Sequence, residues 1–104
     1  MRLNPFYPDW YLWGLGMARH LRGDHAAACD ALRRMAQPND QSKTFHVASL
    51  VRMGETGAAR REVRALRELA PDATAGGLVA PLGFRDSRVC EELAESLRAA
   101  SLPG

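Results

Sequence analysis

The chain has 104 residues, a formal net charge of +2, 46% hydrophobic residues and 25% charged ones. Such a length and composition fit one globular domain with a modest core, and no apolar run approaches the ~18–20 residues that a membrane helix needs. Thirteen arginines stand against one lysine, but a net charge this small argues against a dedicated nucleic-acid binder.

Strand-like alternation is nearly absent, whereas helical spacing recurs along the chain. The first helix is expected over about Pro8–Arg22, with Pro8 in its first turn and Asp9 facing the positive helix terminus. Gly23-Asp24 stops it. A second helix is expected over about 25–36, with Ala28, Leu32 and Met35 inward, until "QPND" breaks the chain. The third spans about 42–53 and carries Phe45, Val47, Leu50 and Val51. The fourth runs over about 56–70, with Ala59, Val63, Leu66 and Leu69 inward, and ends at Pro71. Both pairs are joined by tight turns, "GD" and "GETG", and short connections make antiparallel neighbours. The chain therefore reads as a single all-α domain over 1–104. It holds a first hairpin at 8–36, a second at 42–71, an irregular connection at 72–86, and a capping helix at 87–100 that Asp86 starts.

Gly23 and Gly54 occupy the same place in the two turns. Each is followed by an alanine, Ala28 and Ala59, and then by Leu32 and Val63. Leu12, Leu15, Gly16, Arg19, Ala28 and Leu32 fit the tetratricopeptide pattern in the first hairpin, and Ala59, Val63 and Pro71 fit it in the second. Lys43, His46 and Val47 depart from it. Over Pro8–Pro71 the chain thus resembles tetratricopeptide repeats, which implies stacked antiparallel hairpins that bind protein partners. Phe84-Arg85-Asp86 and Leu102-Pro103 give a narrower resemblance to the C-terminal repeats of bacterial class III adenylate/guanylate cyclase-like proteins or winged-helix regulators. That likeness implies a non-catalytic sensory or scaffolding module. Leu3-Asn4-Pro5 resembles the close of a preceding repeat, so the chain is expected to be the end of a longer array.

The resemblance also implies a concave groove. Trp10, Trp13, Met17 and His20 would line it from the first helix, and Gln41, Thr44, Ala48 and Arg52 from the third. Against this stands the plainer reading that Trp10 and Trp13 only cover the fold. The expected partner is a protein or peptide. Since the first hairpin would lack a cap, a homo-oligomer through its outer face is expected as well.

His20, His25 and His46 do not have metal-ligand spacing, no nucleophile stands beside a base, and no phosphate-binding loop is present, so neither catalysis nor a cofactor is expected. Arg60, Arg64 and Arg67 fit a solvated helix face. Cys29 and Cys90 read as small hydrophobes. The N-terminus, broken by Pro5 and Pro8, has no secretory signal pattern, which points to the cytoplasm. A small helical nucleic-acid-binding regulator is the alternative function.

Overall fold

The computed structural model describes residues 7–103. Its elements are α1 (Asp9–Leu21), α2 (His25–Arg33), α3 (Asp40–Arg52), α4 (Thr56–Leu69), α5 (Ala75–Val79), a 3-10 turn (Ala80–Leu82) and α6 (Ser87–Ala99). The described residues are all-helical in their regular structure. None of these helices is long and apolar enough to cross a membrane.

The first four helices form two hairpins with the same elbow. Arg22 and Met53 both close their helices near φ −84°, and Gly23 and Gly54 follow at φ 85° and 80°. The backbone then bonds identically. Gly23 N donates to His20 O and Asp24 N to Arg19 O, while Gly54 N donates to Val51 O and Glu55 N to Leu50 O. Every partner is displaced by 31 residues. Glycine is favoured at this point because the left-handed region places a Cβ against the following carbonyl. Helices α1 and α3 also start and stop at the same shift, each 13 residues long.

Two boundaries differ from the sequence reading, for local reasons. Helix α3 starts at Asp40 rather than near 42, because Asn39 is its cap. The Asn39 side chain accepts from Ser42 N at 2.8 Å, and Ser42 Oγ accepts from Asn39 N at 3.0 Å. Helix α2 ends at Arg33 rather than at 36, because its exit is held from outside. The Asp9 carboxylate accepts from Ala36 N at 2.8 Å and from Gln37 N at 2.9 Å. The connection at 72–86 carries one short helix, capped by Thr74 accepting from Gly77 N, and a 3-10 turn that Gly83 ends at φ 71°.

Helix α3 is the hub. It packs against α1, α2, α4, α5 and α6, and its residues from Thr44 to Leu50 are all buried. A helix buried all round can carry polar residues only if they are bonded. Thr44 Oγ1 donates to Asp40 O at 2.9 Å, and Ser42 is held in the cap. Phe45, Leu66, Leu93, Leu97 and Leu102 are among the largest fully buried side chains. Leu102 follows Ser101, which has φ 79° and closes α6 with the elbow's own pattern: Ser101 N to Arg98 O and Leu102 N to Leu97 O. Pro103 O then accepts from Ala75 N at 2.9 Å, tying the tail to the start of α5.

Close approach within the first hairpin rests on Gly16, where a Cβ would stand 2.5 Å from Leu32. Ala28 and Ala59, the small residues of the two second helices, are fully buried. The Leu3-Asn4-Pro5 motif lies outside the described residues.

Candidate functional site

The residues expected to line a concave groove divide into four groups. Thr44 and Ala48 are fully buried, so they offer no surface to a partner in this structure. The segment from Phe84 through α6 lies on this side of α3. Phe84 meets Phe45 edge-on with ring centroids 6.1 Å apart, and Glu92 of α6 pairs with Arg52 at 3.0 Å. Trp13 and Met17 are half-buried and packed against the core, Trp13 with its ring 5.3 Å from Phe45. Gln41 is half-buried. Trp13 thus lays its ring against Phe45 while part of it stays accessible.

Trp10 stands apart. It is 75% exposed, and the neighbouring Tyr11 is 41% exposed. The two rings meet edge-on at 6.1 Å, and Tyr11 stacks on Tyr7 at 5.2 Å. Three aromatic rings thus form a ladder along the start of α1, its outermost member in solvent. Large aromatics held in place on a surface are the side chains that interfaces favour, because they bury much area with few torsions to freeze.

His20 and Arg52 lie at the opposite end of the row. They share a cleft with His25, Val89 and Glu92, between the first elbow and α6. His20 Nδ1 sits 2.7 Å from Ser49 Oγ, a hydrogen bond that joins α1 to α3. Burial, then the neighbouring His25 and Arg52, depress the His20 pKa to about 4, so its ring is neutral near pH 7. The His25 ring, 4.9 Å away, is shifted down too, first by burial and then by Arg52. Ser49 is fully buried. The Ser–His pair is therefore a joint between helices, with Ser49 in the interior and His20 on the wall of the cleft.

A second polar cluster lies between α2, α3 and α4. Glu62 Oε1 accepts from Lys43 Nζ at 3.0 Å and stands 3.4 Å from His46 Nδ1. These partners, His46 foremost, hold the Glu62 carboxyl down to about 2 against the opposing effect of burial. Cys29 is buried, its thiol pushed up to about 11 chiefly by desolvation, and Cys90 is half-buried. Among the described residues, no three His, Cys, Asp or Glu side chains are grouped to hold a metal ion.

Sequence reasoning placed Trp10 on a contact surface but missed its support by Tyr7 and Tyr11. It named Phe84 only within the Phe84-Arg85-Asp86 motif and did not foresee that Phe84 and Glu92 meet α3. A lone large aromatic in a glycine- and proline-rich stretch was the available signal for Phe84, since such a ring needs cover somewhere. No protein-family model, curated protein or solved structure matches the chain.

Proposed function

We propose that this chain is a non-catalytic, tetratricopeptide-type module that binds a protein partner through the aromatic edge at the start of α1. The observation that carries the reading is the exposure of Trp10 on a ladder braced by Tyr11 and Tyr7. The repeated elbow and the α3 hub support it by giving that edge a rigid base, so a docking helix or extended peptide meets a preorganised surface. On the narrower resemblance, the module serves a signalling protein whose chemistry resides in another domain.

The contact surface proposed is smaller than the full groove. Trp10 is its anchor, while Thr44 and Ala48 belong to the interior and Arg52 to an ion pair. The test is fluorescence titration of a Trp13→Phe variant, in which Trp10 is the sole indole. Two peptide panels serve, one of amphipathic helices and one of extended acidic sequences. A saturable blue shift, lost to calorimetry in Trp10→Ala, is expected from one panel. Silence across both would remove the proposal.

A further inference from the structure

The cleft beside the first elbow lies at the end of α1 away from Trp10. Its volume is about 230 Å³, and His20, His25, Arg52 and Glu92 line it with Leu21 and Val89. Four helices thus each send one titratable side chain to a single place: His20 from α1, His25 from α2, Arg52 from α3 and Glu92 from α6.

Hydrogen bonding fixes which nitrogen of each neutral ring carries its proton. Ser49 is fully buried, and the partner of its hydroxyl is His20 Nδ1 at 2.7 Å. The hydroxyl donates there, which leaves the ring proton on Nε2. His25 Nδ1 is, among the described residues, the one buried side-chain nitrogen or oxygen without a hydrogen-bond partner. An N–H buried there would meet no acceptor, whereas at Nε2 it meets water. Neither Nε2 has a hydrogen-bond partner among the described residues.

The cleft walls therefore carry two imidazole N–H groups and a guanidinium. Among the lining side chains, the acceptor set against them is the Glu92 carboxylate, which meets Arg52 through one contact at 3.0 Å. The two side chains are 41% and 51% exposed, and an ion pair that wet is weakly held. The charge of Arg52 reaches both rings and helps to keep them neutral. Asp24 opposes it at His25, but accepts from Ala27 N. Donors exceed acceptors, and the local field favours negative charge.

We propose that this cleft binds the phosphate group of a phosphomonoester, with Arg52 and the Nε2 atoms of His20 and His25 as donors and Glu92 as the carboxylate that it displaces. Three donors arriving from three helices suit an anion with three oxygens on one centre, whereas a carboxylate offers two in a plane. Leu21, 46% exposed, and the half-buried Val89 give the rim an apolar side for the organic part of the ester. A bound dianion favours the charged form of both rings. Binding then takes up protons, and it tightens as the pH falls from about 8 to about 6.5, where the phosphate still carries more than one charge.

The test is calorimetry and ring-proton NMR on the whole chain in phosphate-free buffer, with phenyl phosphate, inorganic phosphate and acetate as probes. Phenyl phosphate is expected to bind most tightly and acetate least, and both phosphates to raise the titration midpoints of His20 and His25. Equal affinity for the two phosphates would overturn the ester and leave free phosphate as the ligand. Arg52→Gln is expected to weaken phenyl phosphate about tenfold, the loss of one charge-assisted hydrogen bond. Glu92→Gln is expected to tighten it roughly fivefold, because a like charge is removed. Both variants break the same bridge between α3 and α6, so a purely structural bridge would move them in one direction. That result would overturn the proposal, as would acetate binding as well as phosphate, or no saturable change in the two rings with either phosphate. Because Trp10 stands at the other end of α1, peptide binding at the aromatic edge is decided separately.

Discussion

The two hairpins share one backbone plan and fill it in opposite ways. Their elbows superimpose bond for bond at a 31-residue shift, and their first helices have equal lengths. Yet where the first helix of unit one has Gly14 and Gly16, that of unit two has Phe45 and Val47. Phe45 sits among Trp13, His20 and Phe84 as the hub of the core. Gly14, at the equivalent position, has nothing within 4 Å of its would-be Cβ. The local plan is thus set by turn chemistry and capping, while burial is set by place in the stack. Helix α3 is central because elements pack on it from both sides.

The sharpest way to break this comparison is Phe45→Ala. It is expected to cost about 3–5 kcal/mol in urea unfolding, as loss of a fully buried ring does. A cost below about 1 kcal/mol would mean that α3 is no hub. Next comes Gly16→Val, which installs the residue that unit two carries at this place. With Leu32 already 2.5 Å from a Cβ, about 2–3 kcal/mol of destabilisation is expected, and Leu32→Ala in the same chain is expected to recover part of it.

Acidification then separates the units through His20, which belongs to the joint between them. Unfolded, the ring protonates near pH 6.5; folded, near 4. Between these values the unfolded chain binds more protons, so stability is full above about 6.5 and falls as the pH drops towards 4. The loss is of order 2–3 kcal/mol. His20→Gln is expected to flatten this part of a Tm–pH profile and to leave the later loss from Glu62, below pH 4.5, in place.

Smaller effects test the shared elbow. Gly23→Ala and Gly54→Ala are each expected to cost about 1 kcal/mol, and equally, because both sit at the same positive φ. Ser101→Gly, at the third copy of that turn, is expected to stabilise by a similar amount. Smallest is Gly14→Ala, with open space around it, expected to add about 0.5–1 kcal/mol from helix propensity alone. Thermal denaturation of the set checks whether the two elbows behave as one.

Local order was legible in the sequence to the extent that local chemistry determined it. Glycine turns, Asp86 as a cap and the apolar stripes placed the helices within a few residues. Gly16 was readable as a point of close approach. The end of α2 was not, because the group that holds it, Asp9, lies 27 residues earlier. Nor was the burial of Thr44 and Ala48, which lie on a helix that five others pack against. The contact surface was half visible. Trp10 and Trp13 are three residues apart on one helix, and only the arrival of Phe45 from α3 decides that one is covered while the other stays in water.

The Asp9 clasp has a mechanical consequence. At the same position of unit two, Asp40 accepts from its neighbour Gln41 N and no side chain there clasps the exit of α4, so α3 and α4 are joined by their elbow and by the Lys43 and His46 contacts to Glu62. Unit one is fastened at both ends, by the Gly23 turn at one and by two amide bonds to a carboxylate at the other. Such a loop cannot fray outward from its open side. Its amides, Ala36 and Gln37 included, should exchange with deuterium together, whereas those of α4 unzip progressively from Leu69 inward.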